Sequence, residues 1–186
     1  MIKLIVLIIV IQFNFIWTSP LFFSGEVLHY SAGFRFFPAG RAELSFVSDS
    51  LNGEQVYVLS TSIKTNSFLD KFYEVRDEIT AWLNPDSLSL LKTIQNIREG
   101  SYHRDHEAII QGDSLALWEE QSRELPGKVH EPAAFIYYLR SQNLQLGDSH
   151  QFFSYSRKNI REVVVHITGR EIVKVAAGIF SCLKVE

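Results

Sequence analysis

Alternation of apolar and polar residues with a period of two runs through most of the chain after residue 25 and constrains its fold more than any other feature. In the stretch GRAELSFVS, Ala42, Leu44 and Phe46 alternate with polar or charged residues. Side chains of a strand point alternately to the two faces of a sheet, whereas a helix would require a period of 3.6. The alternation therefore predicts antiparallel β-sheet with one face buried and the other solvated.

Turn sequences at regular intervals predict that these strands are joined as hairpins. The pair Asn52-Gly53 separates GRAELSFVS from VYVLSTSIK, and Asn-Gly is a strong hairpin signal because both residues accept a positive φ. The segments NPDS (84–87) and QGDS (111–114) mark two further turns, since Pro, Asn, Asp and Gly favour turn conformations. The sequence thus predicts a meander of long strands over residues 25–122.

One segment departs from the two-residue period and predicts a helix. In EPAAFIYYLRSQN, residues 131–143, Pro132 suits the first helical turn and Glu131 suits the positive end of the helix dipole. Apolar and aromatic residues then recur at helical spacing, and strand alternation resumes after residue 148. We predict a mainly β fold, in which an antiparallel, strongly curved sheet forms a barrel or half-barrel with one short α-helix covering an end.

The N-terminal residues 1–19 have the pattern of a secretory signal peptide. Lys3 precedes an uncharged apolar run from Leu4 to Trp17, and the polar residues Thr18 and Ser19 follow it. The run is shorter than the roughly 20 apolar residues of a spanning helix, so we expect this segment to engage the membrane during export. Because Trp17 stands where a small residue is preferred for cleavage, a retained membrane anchor is an alternative, and a buried first helix is another.

A single β-rich domain is expected over residues 25–186, since the chain is long enough for one core but short for two. Its last strand pattern, GIFSCLKVE, ends without a turn or a partner strand. An unprotected apolar edge strand favours aggregation, so we expect the domain to be truncated at its C-terminus. The lone cysteine, Cys182, cannot form an internal disulfide and is interpreted as a small buried apolar residue.

Net charge argues against nucleic acid as a partner. The chain has 18 basic and 21 acidic residues. Removal of residues 1–19, which include Lys3, makes the net charge one unit more negative. A chain of this balance offers no electrostatic attraction for phosphate backbones. We therefore expect no nucleic-acid binding.

The stretch REGSYHRDHEAII, residues 98–110, carries the most conspicuous cluster of candidate metal ligands. His103 and His106 are three residues apart, so on a strand they point to opposite faces and cannot share a metal ion. One face would carry His103, Asp105 and Glu107, which favours a solvated polar row but leaves a metal-dependent hydrolase open as the alternative. No zinc-binding, nucleophile or nucleotide-binding motif accompanies the row, so we expect no catalysis and no cofactor.

Aromatic residues of the predicted helix suggest a different site. Tyr138 and Leu139 lie three and four residues after Phe135 in AAFIYYLR, so the three side chains share one side of a helix and could line an apolar pocket beneath it. The alternative is that the helix simply closes the core, because an apolar helical stripe is usually buried. The first interpretation gives three candidate ligand-binding residues.

Several segments in a fixed order resemble DUF3108, a family of exported bacterial proteins whose function is unknown. They are GEVLHYSAG, AGRAEL, REGSYHRDHEA, EPAAFIYYLRSQNLQLGD and AAGIFSCLKVE, and they extend from about Gly25 to the C-terminus. The resemblance implies an exported, mostly β protein of the cell envelope that continues beyond residue 186. It implies no activity and transfers no catalytic residue, and the two histidines are not part of the shared pattern.

Together these observations predict an exported cell-envelope protein, periplasmic or associated with the outer membrane. A non-enzymatic binding or structural role is expected, with an apolar ligand under the helix as the specific hypothesis. The expected partner is a lipid or another envelope protein, the latter bound through a sheet edge.

Overall fold

The computed structural model describes residues 24–34, 37–156 and 158–186, so the predicted signal peptide over residues 1–19 lies outside the described residues. The described chain forms twelve strands, a short 3-10 helix (Leu69–Lys71) and one α-helix. In chain order the elements are β1 (Glu26–Phe34), β2 (Phe37–Leu51), β3 (Glu54–Thr65), β4 (Arg76–Leu83), β5 (Leu90–Glu99), β6 (Tyr102–Gln111), β7 (Leu115–Trp118), β8 (Gln121–Glu124), β9 (Val129–His130), α1 (Ala134–Ser141), β10 (Ser149–Ser156), β11 (Asn159–Val175) and β12 (Gly178–Val185). The prediction of a mainly β fold with antiparallel pairing and one short helix is confirmed.

Strands β1 to β8 form a single sheet in which each strand pairs antiparallel with the next one along the chain. At the predicted Asn-Gly turn, Leu51 lies opposite Glu54, which leaves a two-residue loop between β2 and β3. Asn52 and Gly53 both have positive φ, 54° and 85°, as a twist-matched hairpin turn requires. The sequence thus predicted this meander and its tightest turn correctly.

The prediction of a single sheet is wrong, because strands β9 to β12 form a second, four-stranded sheet. Its order is β12-β11-β10-β9, and β9 pairs with β10 in parallel at Val129 and His130. These two residues end the polar segment RELPGKVH (123–130), whose sequence is typical of a loop. In the large sheet β1 and β8 are the two edge strands. The described strands therefore do not form the closed barrel, which was one of the two predicted forms.

Two predicted strands are interrupted by turns without an obvious sequence signal. The segment KFYEVRDEITAWL (71–83) alternates from its first residue as a strand would. Strand β4 nevertheless begins only at Arg76, because the Asn66 side chain accepts hydrogen bonds from the backbone of Phe68 and Leu69 and starts a 3-10 helix. The segment LALWEEQS (115–122) reads as one strand in the sequence, but it is divided between β7 and β8 at Glu119, whose φ is 51°.

One hydrophobic core is shared by the large sheet, the helix and the small sheet. We call the inner face the side of the large sheet that carries Phe46, Leu59 and Ala81, which are at most 1 % exposed. Tyr137 of α1 and Tyr155 of β10 enter the same core. Because both tyrosines are fully buried there, the helix and the small sheet are packed against this inner face.

Candidate functional site

Strand β6 presents the two histidines of the REGSYHRDHEAII stretch on opposite faces of the large sheet. His103 is exposed, whereas His106 is only 5 % exposed. Burial alternates along Tyr102–Gln111, as the two-residue period of a strand requires. The prediction that these histidines point to opposite faces is confirmed.

On the exposed face of β6, the acidic residues of the metal-site hypothesis are paired with basic side chains of β5. Asp105 accepts a hydrogen bond from Arg98 at 2.7 Å, and Glu107 lies 2.6 Å from the Lys92 ammonium. His103 shares this solvated face, and within the described ranges no three His, Cys, Asp or Glu residues are grouped as metal ligands would be. The arrangement does not support the metal-dependent hydrolase.

The helix α1 begins at a buried carboxylate. Glu131, 3 % exposed, accepts hydrogen bonds from the backbone N–H groups of Ala133 and Ala134 at 2.6 and 3.2 Å. These contacts satisfy donors at the helix start that have no partner within the helix. Burial nevertheless raises the pKa of Glu131 from 4.5 to about 7, and the two backbone hydrogen bonds only partly oppose this rise.

Replacement of Glu131 by glutamine is expected to change how stability depends on pH. Since the folded-state pKa lies above the unfolded value, Glu131 stabilises the fold when protonated, below about pH 4.5, and this contribution is lost as pH rises through about 7. Glutamine keeps an acceptor oxygen but cannot ionise. Between pH 5 and pH 8 the parent should therefore lose about 2 kcal/mol of its free energy of unfolding, and the variant should not show this loss.

Urea unfolding at both pH values measures this difference. Glu124→Gln, at an exposed carboxylate of β8, controls for the loss of one charge and should show the same loss as the parent. A constant difference between Glu131→Gln and the parent across this pH range would contradict the prediction.

Two residues on α1 attach the helix to the large sheet. Tyr137 is fully buried and stacks on Phe46 of β2, with ring centroids 4.3 Å apart. Arg140 forms a two-point ion pair with Glu26 of β1, in which Nη1 and Nη2 lie 2.7 and 3.0 Å from the two carboxylate oxygens. The hydrogen bond to Arg140 is the main reason why the pKa of Glu26 is lowered. The sequence pattern did not single out either helix residue as a contact to the sheet.

Phe135 and Tyr138, two of the predicted ligand-binding residues, pack against the small sheet. Both rings contact Phe152 of β10, and the Tyr138 ring lies 4.9 Å from the ring of His130 in β9. Both side chains are only partly buried. The structure therefore places these two aromatic residues at the junction of the helix and the small sheet.

Leu139, the third predicted residue, lines a cavity of about 620 Å³ between the end of α1 and strand β12. Its apolar lining comes from Leu139 and Leu144 on the helix side and from Cys182 and Leu183 on β12. Polar residues of the helix end, Arg140 to Asn143, line the remainder. The cavity combines apolar walls with a polar border, a composition typical of small-molecule sites.

The β12 residues of this cavity were not predicted as site residues. Cys182 was interpreted as a buried core residue, but it is partly exposed and its thiol is free. Leu183 lies opposite Arg170 of β11, and no local feature of its strand distinguishes it from its neighbours. Only the packing of the small sheet brings these residues to the helix, more than 40 positions away in sequence.

No helix in the part of the chain that the structure describes is long and apolar enough to cross a bilayer. The family model described as "Protein of unknown function (DUF3108)" matches residues 28–186. No curated protein and no solved structure matches the chain.

Proposed function

Because the chain belongs to the DUF3108 family, described only as proteins of unknown function, we propose that it is an exported, non-enzymatic protein of the cell envelope that binds an apolar ligand beside α1. The observation that carries the proposal is the cavity of about 620 Å³ lined by Leu139, Leu144, Cys182 and Leu183. A cavity of this size accommodates a lipid chain or a molecule of similar volume. The proposed ligand is therefore a lipid.

Export is supported by the sequence of residues 1–19, where one basic residue, an apolar run and a polar exit follow one another. The proposed location is the periplasm or the periplasmic side of the outer membrane. A lipid carrier in this compartment would need an apolar surface for its ligand, and the lining of the cavity beside α1 by Leu139, Leu144 and Leu183 supports this proposal.

We also propose that the large sheet curves around the helix as a half-barrel. Buried residues from β2 to β7 contribute to the same core as Tyr137, which is expected when a sheet wraps one packed element. Curvature of this kind would place α1 at the open side of the sheet, next to the ligand cavity.

Replacement of Leu139 by arginine is expected to weaken binding of an apolar probe about fivefold or more, because a charged side chain would enter the apolar part of the cavity. N-phenyl-1-naphthylamine, whose fluorescence rises in apolar surroundings, is a suitable probe for a titration of the purified full chain. Mass spectrometry of the same preparation identifies any lipid bound during expression.

Leu146→Arg is the matched control, since Leu146 is 68 % exposed beyond the same helix end and should bind the probe like the parent. Equal affinity for Leu139→Arg and the parent would exclude the cavity as the site. Recovery of a stoichiometric envelope protein without lipid would instead favour binding of another protein through a sheet edge.

A further inference from the structure

A second group of polar side chains lies on the inner face of the large sheet, away from the cavity beside α1. Cross-strand pairs place Thr61, Ile79, Gln95 and His106 in one row across β3, β4, β5 and β6. Paired residues of an antiparallel sheet share a face. Thr61, Gln95 and His106 are at most 8 % exposed, so this row brings three polar residues into the protein interior.

Arg104 lies on the same face as His106, two residues earlier on β6, and its guanidinium is incompletely satisfied. Nη2 donates a hydrogen bond to Gln95 Oε1 at 2.8 Å, whereas Nε is buried without a hydrogen-bond partner. Among the described residues, Arg104 forms no ion pair with a carboxylate, unlike Arg98 and Arg140. Burial of a guanidinium with an unsatisfied N–H is costly, and an anion bound at Arg104 would offset this cost.

The hydroxyl of Thr61 is a second unsatisfied group on this inner face. Thr61 is 8 % exposed, and its Oγ1 is buried without a hydrogen-bond partner. Buried polar atoms in proteins nearly always have such a partner. Thr61 and Arg104 thus place two polar groups without a hydrogen-bond partner on one interior face.

His106 and Tyr155 form the boundary of the row toward the small sheet. His106 Nε2 is 3.1 Å from the Tyr155 hydroxyl. Burial, followed by the positive charges of Arg104 and Lys158, lowers the pKa of His106, while Glu119 partly opposes the shift. Burial raises the pKa of Tyr155 to about 12. At neutral pH both groups are therefore uncharged, and neither neutralises Arg104.

From this geometry we infer that the inner face binds the carboxylate of an amphiphile with a hydrocarbon chain, such as a fatty acid, at Arg104. The planar guanidinium matches a carboxylate in shape and hydrogen-bonding geometry. Gln95 positions the guanidinium through its hydrogen bond to Nη2. Ile79, which is only partly buried on the same face, supplies apolar surface for the hydrocarbon chain.

Calorimetric titration of the full chain with laurate, methyl laurate and acetate tests this site. Methyl laurate keeps the hydrocarbon chain without a charge, and acetate keeps the charge without the chain. We expect laurate to bind about tenfold or more tightly than either. Arg104→Met should remove the preference for laurate over its methyl ester. Arg98→Met, on the opposite face of the neighbouring strand, should preserve it.

Equal affinity for laurate and methyl laurate in the parent, or an unchanged preference in Arg104→Met, would overturn the inference. Acetate binding as tight as laurate binding would also overturn it, because only a free anion would then be recognised. If Arg104→Met does not fold, carbon-13 NMR of carboxyl-labelled laurate bound to the parent decides. Beside the guanidinium the carboxyl of bound laurate must be ionised at pH 7, and a protonated carboxyl at this pH would refute the site.

This site does not depend on the cavity beside α1. Leu139→Arg should leave the preference for laurate over methyl laurate intact, since Leu139 lines the cavity beside α1 and Arg104 does not. A loss of probe binding in Leu139→Arg with an unchanged laurate preference would therefore separate the two sites, and failure of one proposal would leave the other testable.

Discussion

Replacement of Tyr137 by alanine is expected to lower the free energy of unfolding by about 4 kcal/mol. The Tyr137 ring is 0 % exposed and stacks on Phe46 with an interplanar angle of 19°. Truncation would remove this buried aromatic surface and leave a cavity where α1 meets the large sheet. The variant should also weaken the attachment of the helix, because Arg140, whose guanidinium lies 5.4 Å from the Tyr137 ring, loses a packing partner.

Urea denaturation followed by far-UV circular dichroism measures this loss. Ile136→Ala is the matched control on the same helix, since Ile136 is 39 % exposed and should cost about 1 kcal/mol or less. Tyr137→Phe keeps the ring and separates the contribution of the hydroxyl. A loss below about 1 kcal/mol for Tyr137→Ala would mean that the helix is not anchored through this ring.

The second large effect is expected for Tyr155→Ala, at about 4 kcal/mol. Tyr155 is 0 % exposed, and through its side chain the small sheet contributes to the shared core. Alanine would remove the ring and also the hydroxyl that hydrogen-bonds to His106 Nε2. His106 would then be a buried polar side chain without this partner, which adds to the cost of the cavity.

Tyr155→Phe divides the effect, because it removes only the hydrogen bond and should cost about 1 to 2 kcal/mol. Tyr102→Ala, at a side chain that is 45 % exposed, is the matched control for loss of a tyrosine from a strand. Unfolding should be recorded by circular dichroism and by tryptophan fluorescence. If Tyr155→Ala were as stable as the parent, the small sheet would not depend on this contact.

Local signals in the sequence were sufficient for the meander and for the orientation of β6. The Asn52-Gly53 pair specifies a turn through its own backbone preferences, and the strict alternation around His103 and His106 determines which side chains are buried. Both signals act between residues that are neighbours in sequence. For this reason the hairpins and the faces of β6 were predicted correctly.

Features that depend on distant residues were not predictable in this way. Glu119 adopts a positive φ without glycine or asparagine at its position, so the turn between β7 and β8 gives no compositional signal. The parallel pairing of Val129 with Phe153 is specified by contacts across the small sheet. Helical periodicity also could not show that Tyr137 faces the large sheet while Tyr138 faces the small one, because α1 contacts both.

The same limit applies to the two candidate sites. The sequence identified Leu139, which lies on the helix, but the cavity also requires Leu183 from a strand far along the chain. On the inner face, Thr61 and Gln95 join His106 only through the register of four strands. Each residue is ordinary within its own strand, and the site arises from their cross-strand alignment.

The pairing of β1 to β8 strictly in chain order has a consequence for the order in which the protein folds. Every pairing in the large sheet joins strands that are adjacent in sequence, so each hairpin can close a short loop at small entropic cost. The bond between His106 and Tyr155 spans 49 residues and requires both sheets. We therefore expect the meander, with the inner-face row, to form early, and docking of the small sheet, which brings Tyr155 to His106, to be the late step.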